Sequence, residues 1–249
     1  MSKLLLKMLK MLKTILLLLL MVLSGCGVLN SAPPQETGHF FINPHTDFGD
    51  IGRVVILEVK NESSRADLAS QLTDSVSEAL QKKHLFSVTT LSPDDPDWRR
   101  LAVGDDDISS YSIRQLDAVR SQLKVNAVIY GSITEYRPYP HMLMGLRLKM
   151  LDLRDGKLLW AMEQVWDSTD KRIELRMKHF YKNYMRDGYQ PIGWQLLVTS
   201  PRAFNKFVVH EVAATFGQSN EYMKRVSSSK SGRNFSKKPT IFEKIFKIQ

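Results

Sequence analysis

Cysteine is almost missing from this chain: Cys26 is the only one in 249 residues, so no disulfide can form within it and its stability must come from a packed core. The signatures of common chemistries are missing too. There is no glycine-rich phosphate loop, no G-x-S-x-G elbow and no H-E-x-x-H pair. The six histidines, His39, His45, His84, His141, His179 and His210, are scattered, with no pair at metal-ligand spacing. Glu135 and Asp152 could meet across a sheet as a carboxylate pair, but spacing alone does not bring them together. The residues therefore predict no catalytic site, no metal and no cofactor. An apolar run long enough to span a bilayer is also lacking: the uninterrupted stretch Ile15 to Leu23 is well short of the roughly 20 residues a spanning helix needs.

That short run has informative neighbours. Lys3, Lys7, Lys10 and Lys13 precede it without an acidic residue, and Leu23-Ser24-Gly25-Cys26 closes it. A cationic start, an apolar segment of this length and small residues before a cysteine resemble the signal peptide and lipobox of bacterial lipoproteins. The resemblance implies cleavage before Cys26 and acylation of its thiol, so that residues 1–25 are a signal peptide and the mature chain is held to a membrane by lipid. The alternative is an uncleaved anchor or an ordinary signal peptide with a chance cysteine. Gly27 follows the cysteine where an aspartate would signal retention at the inner membrane, which favours the outer membrane, facing the periplasm.

Charge is unevenly distributed. The formal net charge is +9, and removal of residues 1–25, with four lysines and no acid, leaves +5. The segment 223–249 holds Lys224, Arg225, Lys230, Arg233, Lys237, Lys238, Lys244 and Lys247 against Glu243. The basic character thus belongs to a tail, read as largely disordered with a short amphipathic end at Ile241, Phe242, Ile245 and Phe246. The tail is a candidate contact for an anionic membrane or wall polymer. Nucleic acid is not an expected partner of an exported lipoprotein.

Residues 26–38, with Pro33 and Pro34, read as a flexible tether, and 39–222 as one α/β domain with a C-terminal helical extension. His39 to Gly52 reads as irregular. Arg53 to Val59 is a β-branched run suited to a strand buried on both faces. Asn61 to His84 carries Leu68, Leu72, Val76 and Leu80 at helical spacing, with Ser64 as cap. Phe86 to Leu91 is a second strand, and the acidic stretch Ser92 to Asp107 is a surface loop whose spacing does not match a calcium site. Tyr111 to Lys124 forms another helix with a Ser112/Gln115 capping pair, leading to a long strand at Asn126 to Tyr136 in which Gly131 predicts a bulge or close backbone approach.

Asp155-Gly156 marks a hairpin between Gly145–Leu153 and Lys157–Trp166. With that dipeptide as a two-residue tip, Trp160, Met162 and Trp166 share a face with Arg147 and Lys149, opposite Leu146, Leu148 and Met150. One face must pack on the helices, and the other awaits later chain or a partner. Trp160, Met162, Trp166, Arg147 and Lys149 are thus a candidate partner surface. Two aromatic stripes follow and can supply cover: Ile173, Met177, Phe180 and Tyr184, then Phe204, Phe207, Val208, Val212 and Phe216, opened by Ser200-Pro201 and closed by Gly217.

The expected fold is a mixed sheet in the order strand, helix, strand, helix, strand, then an antiparallel meander, with extra C-terminal helices. From Arg53 to Trp166, on the pattern Val54-Val55-Ile56-Leu57-Glu58-Val59-Lys60-Asn61 and on Asn126 to Ile133, this resembles the small α/β domain of one envelope group. The group comprises the curli-secretion lipoprotein, the lipoprotein activator of penicillin-binding proteins and the N-terminal domain of TolB. The resemblance implies no catalytic residues and action by contact with envelope proteins in assembly, secretion or regulation. A second copy of the chain is left open as a partner. The rival expectations are an envelope hydrolase acting on cell-wall or lipid material, or a tether acting through the basic tail.

Overall fold

The β-branched runs do form the centre of a sheet. The computed structural model describes residue 13 and residues 39–62, 67–101, 108–185 and 193–217. The chain divides into two units, Met1–Gln35 and Glu36–Gln249, and the fold below is that of the second. Leu23, Ser24, Gly25, Cys26, the tether, Ser64 and the eight tail cations lie outside the described residues.

Seven strands form one mixed sheet: β1 (His39–Ile42), β2 (Arg53–Leu57), β3 (Lys60–Asn61), β4 (Ser87–Leu91), β5 (Ala127–Arg137), β6 (Leu143–Asp152) and β7 (Leu158–Asp167). Their order is β1-β7-β6-β5-β2-β4, with β3 also on β5. β2 runs parallel to β4 and β5, while β5, β6, β7 and β1 form the antiparallel part. The helices are α1 (Leu68–Gln81), α2 (Pro96–Arg100), α3 (Ile113–Leu123), α4 (Lys171–Phe180, continued by a π turn Tyr181–Met185), α5 (Leu196–Thr199) and α6 (Pro201–Gly217).

Strand alternation divides the core between the two faces of the sheet. Val54, Ile56, Ala127 and Ile129 point to a face covered by Leu72, Val76 and Leu80 of α1, Ile173 and Met177 of α4, and Phe204, Phe207, Val212 and Phe216 of α6. Val55, Leu57, Val128 and Leu151 point the other way, onto Leu116 and Val119 of α3 and Trp98 of α2. β2 is therefore covered on both sides, as its unbroken apolar run predicts. Full burial of each large α6 side chain contributes about 2–3 kcal/mol before conformational entropy is charged.

The capping pair at Ser112 is present: Ser112 N donates to Gln115 Oε1 at 2.8 Å and Gln115 N to Ser112 Oγ at 3.4 Å. Gly131 is a close-approach position, since a Cβ there would collide with the Arg147 carbonyl on β6. The bulge on this strand lies further along, between Ile133 and Glu135. Gly131→Ala is expected to destabilise the domain by about 2–3 kcal/mol, measured by urea unfolding, because two hydrogen-bonded backbones must part to admit one methyl group.

Four expectations need correction. The segment expected as irregular before β2 contains β1, which pairs with β7 at the sheet edge. Asn61, expected at a helix start, is strand together with Lys60, because β5 outruns β2 and offers backbone partners at Ser132 and Ile133. The loop after β4 holds α2, with Pro96 in its first turn. The hairpin loop is longer than two residues: Asp152 N donates to the Lys157 carbonyl and Gly156 N to the Asp152 carbonyl, both at 2.9 Å. With a register shift at Leu151, Met150 sits opposite Trp160, Leu148 opposite Met162 and Met144 opposite Trp166. A one-residue slip moves every side chain to the other face.

Candidate interaction surface

The corrected register dissolves most of the predicted partner surface. Trp160, Met162 and Trp166 share the face of Met150, Leu148 and Met144 and are buried beneath α4 and α6. Trp160 lies 4.5 Å from Phe216, ring to ring, and its Nε1 donates to Thr215 Oγ1 at 3.1 Å. Trp166 Nε1 donates to Glu211 Oε2 at 3.5 Å, and that same carboxylate oxygen takes Arg176 at 3.2 Å. These three apolar side chains are core, because the chain beyond Asp170 supplies the cover that an isolated hairpin would need from elsewhere.

Arg147 and Lys149 do face outward, on the opposite side. Arg147 pairs with Glu163 of β7 at 2.9 Å, and Glu163 holds the guanidinium above its usual range. Lys149 Nζ sits 6.0 Å from the centre of the Tyr130 ring. Val165, on the same face, is 48 % exposed. This half of the sheet extends past the patch covered by α3 and presents a mixed surface: an ion pair, a lysine and an exposed aliphatic side chain.

Other predicted groups do not converge. Glu135 lies opposite Gly145 and pairs with Arg137 at 3.8 Å, whereas Asp152 lies opposite Ala127 and pairs with Arg154 at 2.6 Å. No group of three or more metal-ligating side chains occurs among the described residues. Burial raises the Glu58 carboxyl, helped by the negative charges of Asp94 and Asp74. None of the helices in the described residues is long and apolar enough to cross a membrane.

The helical side of the domain carries an open groove of about 1250 Å³ between α1 and α6, reaching Tyr136, Phe180, Tyr184 and His210. At its end Tyr184 stacks on Phe180 at 5.5 Å and lies 4.3 Å from His210. His210 is pushed below its ordinary value, first by burial and then by the charges of Lys83 and His179. The sequence assigned Tyr184 to the buried stripe of α4. The π turn changes the phase, so Tyr181 and Met185 go inward and Tyr184 is left 62 % exposed. A single turn widened by one residue leaves no mark in hydrophobic spacing, so sequence reasoning could not have found this.

No family model matches this sequence, and no curated protein matches it. Among solved structures, similarity is found to the PelC dodecamer from Paraburkholderia phytofirmans, at 15 % identity over 55 % of this chain and 86 % of that one, with a TM-score of 0.38. Lipoprotein GNA1162 from Neisseria meningitidis is 17 % identical over 46 % of this chain and 78 % of that chain, with a TM-score of 0.35. The LpoB C-terminal domain from Escherichia coli is 12 % identical over 46 % and 82 %, with a TM-score of 0.34.

Proposed function

We propose that this chain is a bacterial envelope lipoprotein, non-enzymatic, held to the membrane by lipid on Cys26 and acting through contact with another envelope protein. The observation that carries the reading is the N-terminal pattern: four lysines, an apolar run too short to span, and Leu23-Ser24-Gly25-Cys26. Several acyl chains, each methylene contributing about 0.8 kcal/mol of membrane attachment, make such an anchor nearly irreversible. Gly27 favours the outer membrane, facing the periplasm.

Protein contact is supported by the outward face of β6 and β7. Arg147, Glu163 and Lys149 flank the exposed Val165 on a rigid sheet, an apolar point with a charged rim around it. A photo-cross-linking side chain introduced at Val165 in cells should capture one discrete protein, whereas the same group at Ile113, exposed on α3, should not. Recovery of no protein from Val165, or of the same set from both positions, would count against this surface.

A further inference from the structure

We propose that the open groove between α1 and α6 binds an uncharged polysaccharide chain. It lies on the helical side of the domain, whereas Arg147 and Val165 face outward from the other side of the sheet. The site is therefore separate from the surface proposed for protein contact.

The charges of the groove argue against an ionic occupant. Asp67, Asp74 and Glu78 line it from α1, and Lys82, Lys83, Arg202 and Lys206 line it with them. The two signs also satisfy each other. Glu78 takes Lys82 at 2.6 Å, and its carboxyl is held below the ordinary range first by that lysine and then by the charge of Lys206 on the facing helix. Asp67 accepts from Gln71 Nε2 at 3.1 Å. An anion would meet three carboxylates here and a cation four positive side chains, so neither finds a complementary field.

The apolar surface on offer is a flat ring. Leu68, Val209 and Ala213, which also line the groove, are only 3–4 % exposed. They give no opening to the apolar side chains by which a polypeptide anchors itself. Tyr184, in contrast, is 62 % exposed, its ring stacked on Phe180 at 5.5 Å and braced by His210 at 4.3 Å. Burial, with the charges of Lys83 and His179, lowers His210, so its ring is uncharged at neutral pH. A supported aromatic face with polar groups beside it suits a pyranose, whose C–H faces lie on the π cloud while its hydroxyls point sideways.

An acceptor without a donor also lines the groove. Asn205 Oδ1 is buried and has no hydrogen-bond partner among the described residues. Such a group costs free energy until an incoming donor satisfies it. Asn205 lies five residues before His210 on α6, roughly 7–8 Å along the axis, so a chain lying on Tyr184 can extend to it. The wall from Pro201 to Ala213 is roughly 18 Å long, room for several sugar rings in a row.

The test titrates the full chain, in a detergent without a sugar headgroup, into fluorescently labelled hexasaccharides of N-acetylglucosamine and of glucose, and follows anisotropy. Saturable binding of at least one is expected, changing less than about two-fold between about 50 and 500 mM salt because no ion pair forms. Binding of the first alone gives Asn205 Oδ1 an acetamido N–H as its donor, and binding of the second gives it a hydroxyl. Tyr184→Ala should weaken binding about ten-fold, and Tyr184→Phe less than about three-fold. Asn205→Ala should weaken it about five-fold while moving the urea midpoint little, since the oxygen it removes is unsatisfied in the free protein. Arg147→Ala, on the other face of the sheet, should leave binding unchanged. No binding of either sugar, a loss of about ten-fold or more with salt, or equal losses in Tyr184→Ala and Arg147→Ala would each overturn the proposal. So would a photo-cross-linking side chain at Gln71 that captured a discrete protein in cells, since a polypeptide would then be the occupant. Failure here leaves the acylation of Cys26 and the Val165 surface unaffected.

Discussion

Trp160→Ala is expected to lower the stability of the domain by about 3–5 kcal/mol, read as a shift of the urea midpoint with little change in slope. Three losses combine. The indole is fully buried, packed on Phe216 and paired across the sheet with Met150 and Ile42, so its removal opens a cavity in the aromatic cluster that also holds Phe48 and Phe86. Thr215 Oγ1 loses the N–H it accepts and stays buried, although it still donates to the Val212 carbonyl at 2.7 Å. β7 also loses a main link to α6. Trp160→Phe should cost less than half as much. Arg147→Ala, on the outward face, should cost under about 1 kcal/mol, as exposed ion pairs do. Were Trp160 a partner surface, its truncation would leave the midpoint in place.

The second large effect concerns Arg176. Its guanidinium and the Glu211 carboxylate pair at 3.2 Å with side-chain exposures of 8 % and 14 %, and its Nε has no acceptor. Burial raises the Glu211 carboxyl above its ordinary value, and Arg176 is the largest opposing influence. Arg176→Met removes that opposition and should cost about 3 kcal/mol at neutral pH, because an ionised carboxylate is left buried without its counter-charge. The sign with pH follows. A folded-state pKa above the unfolded one gives a contribution that is complete below the ordinary carboxylate range and lost as pH rises through the raised value. The Arg176→Met deficit should therefore shrink on acidification, and Arg176→Met with Glu211→Leu should recover to within about 1–2 kcal/mol of the parent. A deficit independent of pH would show that the packing of the arginine stem, not the carboxylate, is what was lost.

Much of the architecture could be read from the residues. The unbroken apolar run of β2, the four-residue spacing of α1 and the Ser112/Gln115 pair all specify local structure by rules that tertiary contacts did not override. β1 and α5 were not legible, since four residues are too few to show a period. The hairpin failed differently. Asp155-Gly156 is a sound turn signal, but the Asp152 side chain also accepts from Arg154 N at 2.8 Å, which favours a wider loop. The resulting slip reassigned Trp160, Met162 and Trp166 from surface to core. Tyr184 and His210 line one groove with α1, which lies far from them in the sequence, so only the packing of those helices reveals it.

Acylation of Cys26 is the premise on which the proposed envelope location rests. Cells expressing the wild type or Cys26→Ala are grown with radiolabelled palmitate, and the protein is isolated and resolved on a gel. The wild type should carry label and sediment with membranes, and Cys26→Ala should carry none. Label in both proteins, or in neither, would contradict the lipid anchor and the envelope location that rests on it.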